Sequence, residues 1–215
     1  MEITYLGHAG FRIRSKDGVV IIDPAPQPYG VALKGVSADI VCVTHSHTDH
    51  SFIDPIGGDP KIIRGPGEYE IGNMLITGVR TFHDTNRGAE RGPNTVYVIH
   101  TEDISLCHLG DLGHDLDAKQ IDQIGDIDVL MLPVGGHYTI NAKTAVDIVS
   151  ELDPRVIIPM HYATPALTEK GITLDSADVF CKALGTPLPD PLPKLSLTRT
   201  SMPAESQVVI FNPKG

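Results

Sequence analysis

Residues 40–50 read IVCVTHSHTDH. The run IVCVT (40–44) is continuously apolar and β-branched, the pattern of a buried strand. His45 follows directly at its end, and loops at strand ends are where α/β folds place their chemistry. His45 and His47 are two residues apart, so both can reach one metal ion. Asp49 and His50 come one turn later and approach from another side. Four ligand-type side chains in two pairs exceed what one tetrahedral zinc needs, since a hydrolytic zinc keeps a position for water. The stretch therefore predicts two adjacent metals sharing a substrate.

Two metals need more than four protein ligands, and other strand ends offer them. VRTFHD (79–84) puts His83 after a β-like run, and IIPMHY (157–162) puts His161 after a buried one. LCHLGDLGH (106–114) puts Asp111 just beyond a strand, with His108 and His114 beside it. A carboxylate such as Asp111 can bridge two metals, because it has two oxygens and full charge at neutral pH. His108 rivals His83, but alternation along its strand points it to the face opposite Cys107, a place for packing or for supporting a ligand. His100 reads as an ordinary surface or core histidine.

The rest of the chain bounds the reading. At 215 residues, 41% hydrophobic and 20% charged, it suits one compact domain over residues 1–215. A formal net charge of −10 repels nucleic acid and anionic membranes, so an anionic substrate requires a local positive site. The three cysteines, Cys42, Cys107 and Cys181, are widely spaced and form no CxxC, which predicts reduced thiols. MEITYLGHAGFRIRS lacks the basic region and apolar run of a signal peptide, and no stretch approaches a membrane span. The expectation is a cytoplasmic protein. Oligomeric state is open, a homo-oligomer included.

The first half is rich in short β-like runs: 3–7, 11–15, 19–23, 40–44, 61–64, 74–82, 95–101 and 104–109. The second half alternates a helix over 117–124, a strand over 129–134, a helix over 142–152 capped by Asn141, a strand over 155–160 and a helix from Asp175 to Leu184. The Pro-rich stretch 186–193 reads as a rigid connection before two closing strands, LSL and VVIF. Hairpin-linked strands followed by alternating strands and helices predict two mixed β-sheets with helices outside.

Taken together, these residues resemble the metallo-β-lactamase superfamily. THSHTDH matches its HxHxDH motif in full, Asp23 in VVIIDP matches its first acidic motif, and His83, Asp111 and His161 follow in order. Within the superfamily the chain is similar to small prokaryotic metal-dependent hydrolases, through LGHAGFRI, HLGDLGH, LPVGGHYTI and IPMHY. It is more distantly similar to L-ascorbate-6-phosphate lactonase. The resemblance implies an α+β, four-layer αβ/βα sandwich with a dinuclear site at the edge between the sheets. It implies that one metal takes His45, His47 and His83 and the other Asp49, His50 and His161. Asp111 then bridges, and Asp23 stands behind a ligand and orients it. Two departures narrow the field. His47 is not the Glu of the di-iron flavoproteins, and Asp111 stands where antibiotic-hydrolysing members carry Cys. The chain is also too short for the inserted domain of nuclease-type members and has no basic arm for tRNA.

The implied cofactors are two Zn²⁺, with Mn²⁺ or Fe compatible with the same ligands. The implied reaction is attack by a metal-activated hydroxide on a small ester, lactone or phosphodiester, with Asp49 also orienting the nucleophile. His137 and Tyr138, in VGGHYT (134–139), are candidate proton donors to the leaving group, the alternative being a simple turn. His8, in LGHAGF, is a candidate for touching substrate or supporting a ligand. Arg87 and Arg91, on the loop DTNRGAERGPN (84–94), are candidates for holding a carboxylate or phosphate, the alternative being a solvated loop. Two other functions compete: a phosphodiesterase on short nucleic acid, which the acidic charge disfavours, and a metal-binding protein without turnover.

Overall fold

A computed structural model describes residues 1–212. It contains two mixed sheets packed face to face. The first has six strands in the order β12-β1-β2-β3-β4-β5. Here β1 is Glu2–Gly7, β2 Gly10–Ser15, β3 Gly18–Ile22, β4 Ile40–Val43, β5 Lys61–Arg64 and β12 Leu195–Ser196. The second has seven, β13-β11-β10-β9-β8-β7-β6. Here β6 is Gly67–Ile71, β7 Met74–Phe82, β8 Pro93–Thr101, β9 Ile104–His108, β10 Val129–Pro133, β11 Val156–Met160 and β13 Gln207–Val208. Each sheet changes from antiparallel to parallel pairing: at β3 and β4 in the first, at β9 and β10 in the second.

The parallel strands explain their own composition. In β4, Ile40 and Cys42 face the core between the sheets, while Val41 and Val43 pack outward with Leu33, Ala38 and Ile56. In β10, Val129 and Met131 point inward and Leu130 and Leu132 outward. A strand covered on both faces needs apolar residues at every position.

The helices α1 (Ala118–Ile124), α2 (Ala142–Leu152) and α4 (Ala177–Leu184) cover the outer face of the seven-stranded sheet. On the six-stranded sheet the covering layer consists of irregular segments around Leu33, Ala38 and Ile56. Asp117 and Gln120 form a capping box on α1, and Asn141 caps α2 as its sequence predicts. Ser176, not Asp175, occupies the N-cap of α4. Three elements lie outside the sequence expectations: edge strand β6, the short helix α3 (Pro165–Glu169), which Thr164 caps, and a single 3-10 turn, Arg199–Ser201. All three cysteines are free and buried, as expected. No helix among the described residues is long and apolar enough to cross a membrane.

Hydrogen bonds between the sheets lock one end of the sandwich. The Thr95 N–H donates to the Thr44 carbonyl at 2.9 Å, and the His161 N–H to the His8 carbonyl at 2.8 Å. Thr44 follows β4, His8 follows β1 and His161 follows β11. These bonds therefore fix the strand ends that carry the candidate ligands.

Candidate metal centre

Asp23, just beyond β3, is fully buried, and its carboxylate organises the loop after β4. The Thr44 N–H donates to Oδ1 at 2.8 Å and the Thr44 hydroxyl to Oδ2 at 2.6 Å. His50 Nδ1 lies 2.9 Å from the same Oδ2. A carboxylate only accepts, so His50 carries its proton on Nδ1 here. The Thr44 hydroxyl has spent its one proton on Asp23, so at 2.9 Å it accepts from His45 Nδ1. Both rings are thereby turned with Nε2 towards the cleft.

Asp111, beyond β9, sits where those nitrogens converge. Its Oδ2 is 3.2 Å from Nε2 of His83, 3.2 Å from His161, 3.3 Å from His50 and 3.8 Å from His45. Its backbone N–H donates to Asn94 Oδ1, and the Asn94 amide nitrogen donates to Thr81 and to the Leu109 carbonyl. The ligand atoms of His45, His47 and His83 lie within 4.8 Å of one another. So do those of His8, His50 and His161. Asp49 joins this second group through His8, whose Nε2 is 3.4 Å from Asp49 Oδ2.

The electrostatics follow from burial around these carboxylates. Burial works against charge on His50, but Asp111 and then Asp23 outweigh it and raise its pKa well above the usual histidine value. Burial drives His45 down to about 3 and His8 to about 4. Burial would raise Asp111, yet His161 and His50 hold it well below the usual carboxylate range.

This donor set fits metal ions. His45 Nε2, His50 Nε2 and Asp111 Oδ1 are buried without a hydrogen-bond partner. An unpartnered buried polar atom costs about 1–3 kcal/mol, and a cation among these atoms removes that cost. Imidazole and carboxylate donors suit zinc, manganese and iron.

The cleft over the cluster has a volume of about 400 Å³ and is lined by His47, Asp49, His83, Asp111, His161, Arg91 and Tyr138, among others. Of the two candidate proton donors, only Tyr138 lines it. His137, in the same turn at φ 56°, does not. Arg91 lines the cleft, whereas Arg87, also at positive φ, is exposed to solvent away from it. His137, a candidate proton donor, and Arg87, a candidate oxyanion holder, thus both lie outside this cleft. His108 donates from Nε2 to the Ala9 carbonyl and accepts the Gly110 N–H at Nδ1, which steadies the turn before Asp111. His114 accepts from the Phe82 N–H, tying two loops together.

Four supporting residues had gone unnoticed in the sequence: Thr44, Asn94, Asp84 and Tyr29. Thr44 adjoins the motif, and that adjacency was its one signal. Tyr29 packs its ring 5.2 Å from that of His8.

A family model described as the β-lactamase superfamily domain matches residues 2–161. The chain belongs to the metallo-β-lactamase superfamily. A crystal structure from Thermotoga maritima, named provisionally as a zinc-dependent hydrolase of this superfamily, is 36% identical with a TM-score of 0.80, covering 98% of this chain and 97% of that one. A UPF0173 metal-dependent hydrolase of Methanopyrus kandleri is 32% identical over 201 residues, 76% of this chain and 85% of the relative. One from Pelotomaculum thermopropionicum is 31% identical over 207 residues, 79% of this chain and 88% of the relative. Within the superfamily, the chain sits in the branch whose members are named metal-dependent hydrolases.

Proposed function

We propose that this protein is a hydrolase that uses two divalent metal ions, Zn²⁺ in the simplest assignment, to cleave a small ester, lactone or phosphodiester. The observation that carries the reading is Asp111 Oδ2, set within 3.8 Å of four imidazole nitrogens that the loops after three separate strands, β4, β7 and β11, bring together. His45, His47 and His83 would hold one ion, and His50 and His161 with Asp49 the other, with Asp111 shared between them. When bound, such ions acidify a water and polarise the attacked oxygen.

The chain's own groups supply the rest. Asp23 and Thr44 fix the His45 and His50 tautomers, so neither ring must reorganise. Asp49 is held well below the usual carboxylate range: burial opposes this, but His8 and His50 outweigh it. It stays anionic beside the cleft, able to orient a nucleophile. The Tyr138 phenol, at the cleft wall, donates a proton to the leaving oxygen. A net charge of −10 favours a small molecule over nucleic acid as the partner.

The test is turnover of an ester, lactone and phosphodiester panel by zinc-loaded protein. Chelator-sensitive hydrolysis of at least one class, together with about two metal ions per chain, is expected. Hydrolysis that survives complete metal removal, or no turnover of any class at full metal loading, would sink the reading.

A further inference from the structure

The loop between β7 and β8 is built around one buried carboxylate. Asp84 Oδ1 accepts the N–H groups of Asn86 and Gly88, each at 2.8 Å. Its Oδ2 accepts those of Glu90 at 3.0 Å and Arg91 at 2.8 Å. The Gly92 N–H closes onto the Gly88 carbonyl, and the His83 N–H onto that of Gly92. A ten-residue loop tied through so many of its own amides does not sample many shapes. It delivers Arg91 to the wall of the cleft.

Arg91 forms no salt bridge, which among the described residues it shares with most of the lysines and arginines; only Lys143, Lys182, Lys194 and Arg199 meet a carboxylate. What sets Arg91 apart is a ring: its guanidinium carbon lies 4.7 Å from the centroid of Tyr138. A guanidinium stacked on an aromatic face keeps its in-plane N–H donors free, and that fork matches a carboxylate or a phosphate. Arg91 and Tyr138 line the same cleft as Asp111, His83 and His161.

We propose that Arg91, seated on the ring of Tyr138, is the anchor for an oxyanion group, carboxylate or phosphate, that the substrate carries apart from the bond to be cleaved. The proposal rests on the hydrolase reading and narrows its substrates to anionic ones. It also answers the bulk charge: a protein of net charge −10 captures an anion only where a fixed cation is presented.

The test uses zinc-loaded full-length protein and matched substrates: one neutral ester, the same ester with a remote carboxylate, and the same with a remote phosphate. The readout is the ratio of kcat/KM for each anionic ester to that for the neutral one. Wild type should favour at least one anionic ester, and the two arms identify which oxyanion it takes. Arg91→Ala should lower that ratio by about 10- to 100-fold with metal content unchanged. Arg91→Lys should recover part of it, and Arg87→Ala, removing the same charge from the same loop, should leave it intact. Tyr138→Phe keeps the ring and should keep the ratio while lowering kcat; Tyr138→Ala should lose both. Equal losses on neutral and anionic esters in Arg91→Ala, or a wild-type preference for the neutral ester, overturn the anchor.

Titration with inorganic phosphate separates the two readings. If no ester, lactone or phosphodiester is turned over yet phosphate binds at least tenfold more weakly to Arg91→Ala, the hydrolase reading fails and the anchor stands. If none is turned over and phosphate binds both proteins equally, both fail.

Discussion

Asp23 and His50, both fully buried, meet at 2.9 Å through Oδ2 and Nδ1, and this contact turns the other nitrogen of His50 towards Asp111. Outer partners of ligating histidines fix ring orientation and basicity, and their loss costs about 10- to 100-fold in metal affinity. Asp23→Asn keeps the size and removes the charge. It should weaken zinc binding by that factor while the fold persists. Competition with a chromophoric chelator measures it, and an unchanged affinity would remove Asp23 from the centre.

His50 also sets a pH dependence. Its pKa is raised because Asp111, and then Asp23, outweigh burial, so in the metal-free protein this ring carries a second proton, on Nε2, at neutral pH. His45, driven to about 3 by burial, keeps only the proton on Nδ1. A metal ion at His50 must displace the proton, so metal affinity should rise with pH. Calorimetry at pH 7 in buffers of different ionisation enthalpy should show about one proton released per chain from this pair. Zero release would mean that His50 is neutral before the metal arrives.

Asp111→Asn tests the shared carboxylate. The amide cannot supply a second anionic oxygen, and four imidazoles lose their common partner. Bound metal should fall below about one ion per chain and hydrolysis by at least about 100-fold. Elemental analysis after dialysis, read beside the circular dichroism of the same sample, distinguishes an emptied centre from an unfolded one.

The parts of this centre that were legible in the sequence are those fixed by one strand at a time. His45, His83, Asp111 and His161 each follow a β-like run, and a strand's end is visible in its own residues. The groups whose role depends on how a loop closes on itself were not. Asp84 reads as one more polar loop residue until the chain folds back and presents four N–H groups to it. His137 and Tyr138 are neighbours with the same apparent claim to the cleft, and only the folded turn shows that Tyr138 alone lines it. Edge strand β6 carries GEYEI, mostly solvent-facing, so burial left little pattern to read. Helix α3 did carry a signal, Thr164 before Pro165, but five residues are too few for helical periodicity.

Asp84 predicts an acid transition confined to one loop. Burial would raise its pKa, but the N–H groups of Arg91, Gly88, Glu90 and Asn86 lower it from 3.8 to about 2. A depressed carboxylate contributes stability that is present above its unfolded pKa and lost as pH falls through the folded one. The Tm difference between wild type and Asp84→Ala should therefore be full above about pH 4 and shrink towards pH 2. At neutral pH, hydrogen exchange of the 86–91 amides should accelerate in the variant, and the Arg91-dependent substrate preference should weaken with it. Unaltered exchange in that loop would show that other contacts hold its shape.

Gly135 gives the sharpest steric prediction. A Cβ there would stand 2.1 Å from the carbonyl oxygen of His161, a backbone atom that cannot swing aside. Neighbouring bonds hold both sides of the clash: the Val134 N–H donates to the Met160 carbonyl, and the Asp175 N–H to Gly135. Relief must come from moving the backbone of His161, which already sits at φ 51°. Gly135→Ala should therefore cost about 1–3 kcal/mol in stability and displace the His161 ring from Asp111. The second metal should be lost before the fold is. Gly57→Ala is the control, because its Cβ would meet nothing closer than the Val36 carbonyl at 3.8 Å. Urea unfolding paired with metal analysis reads both effects. A Gly135→Ala protein with wild-type stability and two bound ions would mean that the His161 turn is softer than its hydrogen bonds imply.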